Sequence, residues 1–197
     1  MMQGSRATRE SSRDKLIQAA AELMLESGYA SVTSRRVAAA AGLKPQLVHY
    51  YFSSMDDLYL AVYAWYFSGL SERQGEITAS ATPLRDLWRM MCDSRGVMLN
   101  EFLALANHKP KIKREIAAFS SRFRAEQVAL LERVVDPQSL EQHGITAAML
   151  SLMLNSLARS LATEREFGIE QGHAEALARV ERMIEEIDSR YTPPGAA

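Results

Sequence analysis

The residues with the most chemical content lie in one stretch, Thr33 to Phe52, which reads TSRRVAAAAGLKPQLVHYYF. Lys44, Gln46, His49, Tyr50 and Tyr51 crowd into it, and Arg35 and Arg36 stand just upstream. Such side chains suit double-stranded DNA. A glutamine can hold adenine N6 and N7 bidentately in the major groove, and a lysine can reach guanine. Arginine side chains and tyrosine hydroxyls take phosphate oxygens. Residue type alone leaves each role open. Gln46 and Lys44 either reach base edges or touch only phosphate and water. One of Tyr50 and Tyr51 packs instead of binding. His49 is either a phosphate contact or plain helix surface; if charged, it strengthens DNA binding at lower pH.

The same stretch supplies the elements that must position these groups. Thr33 can cap a short helix whose first turn carries Ser34, Arg35 and Arg36. Val37, Ala38 and Ala41 give that helix a small inner face, which permits close helix approach. Gly42 supplies the turn because glycine takes positive φ freely, and Leu43 plugs it from beneath. Pro45 opens the next helix, where its missing N–H does no harm. Val48 and Phe52, four apart, then face the core and leave Lys44, Gln46, Leu47 and Tyr50 outward. This is a helix-turn-helix, which lays one helix in the major groove.

A buttress helix precedes it, from about Arg13 to Ser27, capped by Ser11 or Ser12. Leu16, Ala19, Ala20, Leu23 and Met24 form its apolar face, and Gly28 ends it. Residues 1–11 read as a disordered arm in which Arg6 and Arg9 either reach a minor groove or are simply solvated. After the motif, Ser53 or Ser54 caps a fourth helix carrying Asp56 and Asp57 in its first turn. It is expected to run to about Thr78 and is apolar nearly all round: Leu58, Ala61, Val62 and Trp65 line one face. Pro83, Pro110 and Pro137 punctuate further helical patterns, with no convincing strand between them. One helix from about Ile145 to Phe167 is expected to bury Met149, Leu152, Met153 and Leu157. The last, from about His173 to Arg190, shows coiled-coil-like spacing. The fold class is all-α with about nine helices.

Composition limits the function. Of 197 residues, 47% are apolar, enough for a real core. The formal charge is −1, yet residues 1–52 hold seven Lys/Arg against four Asp/Glu while the remainder holds 16 against 20. A basic head on an acidic body fits a DNA reader joined to a domain with another task. The single Cys92 excludes an internal disulfide and a CxxC metal pair; it reads as a small buried hydrophobe before a redox sensor. His108, His143 and His173 lack metal-ligand spacing. The run Lys109, Lys111, Lys113, Arg114 reads as a solvated helix start, with an anion site as the alternative. No catalytic motif stands out, so no enzyme, cofactor or metal is expected. No apolar run approaches the ~20 residues of a membrane span, and a soluble, cytoplasmic protein is expected.

Taken together, ESGY, TSRRVAAAAGL, KPQLVHYYF and SSMDDL, over about Arg13 to Leu60, resemble the N-terminal domain of the TetR family of transcriptional regulators. The resemblance implies a three-helix DNA-binding domain over 12–53, with its motif at 33–52. It implies a helical ligand-binding and dimerisation domain over 54–191, with helix four (54–78) as connector, and a disordered tail at 192–197. It places Thr33 and Ser34, with Arg35 or Arg36, near the phosphate backbone. Lys44, Pro45, Gln46, Leu47, His49, Tyr50 and Tyr51 fall on the recognition helix. The chain departs from the family at His49, where a tyrosine is usual, and at Met55, where a lysine is usual; both commonly touch phosphate. The resemblance further implies a homodimer through the last two long helices, a palindromic operator and a small-molecule effector. Tyr63, Tyr66, Phe67, Trp88, Met91, Met98, Phe102, Phe119, Phe123, Met149 and Met153 suit plain core at helical spacing. The resemblance implies that some of them line a largely apolar pocket. The reading is a repressor; the alternative is a helical small-molecule sensor whose DNA binding is weakened or lost.

Overall fold

The computed structural model describes residues 3–77, 79–92, 96–142 and 144–191, without the side chains of residues 3–11 and 139. The described residues form helices and connecting turns, with no strand among them. The expected tail at 192–197 and the end of helix four at Thr78 lie outside them, as do His143 and the side chains of Arg6 and Arg9.

The first helix, α1 (Gln3–Ser27), is longer than expected. Ala7, Arg9 and Glu10 form helix readily and no proline interrupts them, so the helix runs through the residues assigned to an arm. Ser11 and Ser12 therefore fall inside α1 and not at its start. Leu16, Ile17, Ala20 and Met24 bury its inner face. Gly28 then turns the chain at φ 75°, ψ 163°, a conformation open essentially to glycine alone. A short 3-10 turn (Tyr29–Ser31) leads into α2 (Ser34–Ala40), α3 (Gln46–Tyr51) and α4 (Met55–Tyr66).

Helix four does not reach residue 78 unbroken. It ends at Tyr66, Gly69 takes φ 74°, and a separate α5 (Leu70–Ile77) follows. Glycine at positive φ lets the chain leave the helical path. There follow α6 (Pro83–Cys92), α7 (Gly96–Ala106), α8 (Pro110–Val134), α9 (Pro137–Gln142), α10 (Ala147–Glu166) and α11 (His173–Asp188).

Two compact units arise, and neither divides the chain at 53/54. One comprises Met1–Ser68 with Met98–Ala118, the other Gly69–Val97 with Phe119–Ala197. Helix α4 belongs with the head because Leu58, Tyr59 and Val62 are buried there, and α4 packs on α1. In the second unit, α6 packs against both α10 and α11. Asp188, buried near the end of α11, accepts the backbone N–H groups of Leu84 and Arg85, each at 3.0 Å. A carboxylate there satisfies orphan donors and complements the positive end of α6.

The buried face of α10 is Ala147, Leu150, Ser151, Leu154, Ala158 and Leu161. Met149, Leu152 and Met153, expected inside, are instead 46%, 53% and 55% exposed. The register is decided by the small residues: Ala147, Ser151 and Ala158 sit where neighbouring helices press closely, and the methionines point elsewhere. Trp65, assigned to a buried face of helix four, is likewise 42% exposed.

Candidate nucleic-acid interface

Within the first unit, the helix-turn-helix assembles as its residue types require. The Thr33 hydroxyl accepts the Arg36 backbone N–H at 3.3 Å and caps α2. Val37 and Ala38 are fully buried. Gly42 makes the turn at φ 65°, and the Leu43 N–H closes it on the Ala38 carbonyl at 2.8 Å. Pro45 is helical at φ −54° and precedes the first residue of α3. Val48 and Phe52 face inward as expected. The Arg13 guanidinium lies 5.3 Å from the centre of the Phe52 ring, a cation–π contact that ties α1 to the end of α3.

The outward face then carries the groups suited to DNA. Thr33, Arg35, Arg36, Lys44, Pro45, Gln46, His49 and Tyr50 are exposed, while Ser34, Leu47 and Tyr51 are half-buried. Tyr51 packs edge-on against Tyr50, with ring centres 5.1 Å apart. The sequence from Ser27 to Met55 holds no carboxylate, so Arg35, Arg36 and Lys44 act on an approaching phosphate without local opposition.

The first carboxylates beyond this face, Asp56 and Asp57 at the start of α4, do not stand alone. Lys109 meets Asp56 at 2.9 Å and Lys111 meets Asp57 at 2.6 Å. The Lys111 hydrogen bond, helped by that of Ser54, holds the Asp57 carboxyl below its ordinary range, and the same contact raises Lys111. Ser54 also caps α4, accepting the Asp57 N–H at 3.2 Å. The basic run near Pro110 is thus not merely solvated, since two of its lysines neutralise acids next to the recognition helix. Sequence separation concealed this pairing.

The loop behind the motif is anchored by side chains with no motif of their own. Tyr59 donates its hydroxyl to the Tyr29 carbonyl at 3.0 Å and is 3.3 Å from the Val32 carbonyl. Burial raises the Tyr59 hydroxyl above its ordinary range, with Asp56 and Tyr29 adding to the effect, so it stays a donor. Glu101 on α7 accepts the Tyr29 N–H at 2.7 Å.

The expected pocket residues are divided between the two units. Tyr63, Phe67 and Phe102 form an aromatic cluster in the first unit: ring centres are 4.7 Å apart for Tyr63–Phe67 and 5.0 Å for Tyr63–Phe102. Tyr66 joins at 5.4 Å from Phe67. Met98 is buried in the same unit. Phe119 and Phe123 stack on α8 at 5.9 Å. Met149 and Met153 are exposed, and Met91 is half-buried. Trp88 lines a cavity between α6, α10 and α11. That cavity is rimmed by arginines and glutamates, which apolar stripes could not foretell. Cys92 also lines it, with its thiol pushed up to about 11, chiefly by burial.

No described helix is long and apolar enough to cross a membrane. No curated protein matches the sequence. Solved structures do match in fold. A TetR transcription regulator from Haloarcula marismortui has a TM-score of 0.67 at 18% identity, over 92% of this chain and 98% of that one. NalD, the secondary repressor of the MexAB-OprM multidrug efflux pump in Pseudomonas aeruginosa, scores 0.57 at 20% identity, over 88% and 96%. The multidrug binding protein EbrR, complexed with malachite green, scores 0.54 at 23% identity, over 85% and 96%. Residues 16–62 match the family model of bacterial regulatory proteins of the tetR family. Residues 16–62 thus carry the DNA-binding head described for bacterial regulatory proteins of the tetR family, and the fold of the chain is that of TetR-family regulators.

Proposed function

We propose that this protein is a sequence-specific DNA-binding transcriptional regulator, a homodimeric repressor released from a palindromic operator by a small ligand. The observation that carries the reading is the carboxylate-free outer face of α2 and α3, on which Arg35, Arg36, Lys44, Gln46, His49 and Tyr50 are exposed over a buried Val48–Phe52 support. Gln46 and Lys44 read base edges, and the arginines and Tyr50 hold phosphate. The exposed Met149, Leu152 and Met153 on α10, with Met183 on α11, supply the apolar face for a second copy. Two-fold symmetry then sets the recognition helices about one DNA turn, ~34 Å, apart or at a related spacing. A ligand favouring a state with badly spaced heads opposes DNA reciprocally. The repressor NalD and the multidrug binding protein EbrR, both alike in fold, support this scheme.

Fluorescence anisotropy on DNA flanking the protein's own gene tests the reading. The expected result is tight binding to a palindrome that weakens steeply with salt. Failure to bind any palindrome there at low salt overturns it. The second reading, a ligand sensor without DNA binding, is favoured by Met55, which cannot pair with phosphate. Ligand binding with no preference for any palindrome over unrelated DNA at low salt would select it.

A further inference from the structure

The second unit holds a cavity of about 490 Å³ between α6, α10 and α11, a size suited to a small organic ligand. Its apolar wall is Trp88, Leu161 and Ile184, all buried, with Ala158 and Ala162 leaving room beside the indole. Its polar groups are Arg85 and Arg89 from α6, Arg165 from α10, and Glu181 and Glu185 from α11. Arg85 is satisfied by Glu185 at 3.0 Å. Arg89 leans on Asp86 of its own helix at 3.9 Å. Arg165 and Glu181 have no ion-pair partner among the described residues. The cavity therefore sets an apolar wall that includes Trp88 beside the exposed Arg165 guanidinium, with arginine in excess over glutamate.

We propose that this cavity binds a small aromatic carboxylic acid, its ring against Trp88 and its carboxylate on Arg165. The proposal rests on the ligand-responsive reading above and names the ligand class for it. A planar guanidinium matches a carboxylate in a bidentate pair, and the indole face matches an aromatic ring. Cys92 contributes packing and no covalent bond, since its thiol stays protonated near neutral pH. At 100° per residue, Ala158 and Arg165 lie roughly 120° to 180° around α10 from Met149, Leu152 and Met153, and Leu161 and Ala162 come no nearer than roughly 80°, so the cavity opens off that stripe.

The test uses the full chain without DNA, carrying Trp65→Phe so that Trp88 is the lone indole emitter. Sodium 1-naphthoate and benzoate are titrated, with 1-naphthylmethylamine as the cationic counterpart. The expected result is saturable quenching of Trp88 by naphthoate with a dissociation constant under ~1 mM. Arg165→Gln weakens it about tenfold or more, as loss of a charged hydrogen-bond pair requires, and Arg165→Lys restores part of the loss. Glu181→Gln leaves the affinity equal or tighter. Arg165 is exposed, so its variants keep the fold, which circular dichroism checks. No saturable quenching by either acid overturns the proposal. Tighter binding of the amine, or unchanged affinity in Arg165→Gln, overturns it equally. Because no DNA is present, failure here leaves the operator reading standing, and a protein that binds naphthoate but no operator separates the two in the other direction.

Discussion

At the scale of single residues, the outward side chains of α3 can be changed without touching the core. Gln46 and Tyr50 are exposed, while Val48 and Phe52 are buried. Gln46→Ala with Tyr50→Ala should therefore cost operator binding at least about tenfold, as loss of a base pairing and a phosphate contact implies, while the melting temperature stays put. Anisotropy and thermal denaturation on the same preparation check both halves, and unchanged sequence preference would remove Gln46 and Tyr50 from the reading face. Cys92 makes an opposite kind of prediction. With its thiol near 11 it should react with a thiol reagent at pH 8 about a hundredfold more slowly than an ordinary exposed cysteine. The same reagent on urea-unfolded protein gives the reference rate. Fast labelling of the native chain would revive a redox role. These residue identities were legible early because a helix-turn-helix has a rigid grammar. Thr33, Gly42 and Pro45 each satisfy a local backbone requirement that needs no distant partner.

At the scale of elements, the head is held by contacts from α4, α7 and α8. Tyr59 bridges the turn between α1 and α2, and its hydroxyl is the tie to the Tyr29 and Val32 carbonyls. Tyr59→Phe keeps the ring and removes the donor. It should lower stability by about 1–2 kcal/mol, the cost of the lost hydroxyl hydrogen bonds with the Tyr29 carbonyl still held by the Val32 N–H, read as a lower melting temperature with a normal helical spectrum. A neutral result would mean that water replaces the hydroxyl. The sequence places α4 correctly at its start, where Ser54, Asp56 and Asp57 are local cap signals. It misleads at the far end: apolar residues on every side of 58–70 look like one long buried helix. The break at Gly69 arises because the chain passes from one compact unit to the other between Ser68 and Gly69. Periodicity carries no information about such a passage.

At the scale of the whole molecule, the proposed dimer rests on the exposed apolar stripe of α10 and α11. Met153→Asp places a charge in the middle of the stripe, on a side chain 55% exposed in the single chain. The protomer should stay folded and run as a monomer in sedimentation. Its operator affinity should fall by roughly tenfold or more, because a palindrome read by one head loses the second binding event. A variant that remains dimeric would place the interface elsewhere. Here the sequence misplaced Met149, Leu152 and Met153, which it put inside and the structure leaves exposed. Met149 and Met153 have the spacing of a core, and spacing cannot say whether the core belongs to one chain or to two.

The sequence by itself determined the DNA-reading motif, its caps and turn, the all-α class and the limits of α3, α10 and α11 to within two residues. Each of these follows from interactions within a few residues: a hydroxyl on a nearby N–H, a glycine at positive φ, an apolar face at helical period. Only the tertiary structure decided which distant groups meet. Asp188 caps α6 across some hundred positions of chain. Lys109 and Lys111 cancel Asp56 and Asp57 beside the recognition helix. Trp88 and Arg165 come together on a cavity that no stripe announced. Charge pairing and cavity shape depend on packing between helices remote in sequence, and that packing is settled by the fit of side chains such as Ala158 and Leu161 that look interchangeable in a linear pattern.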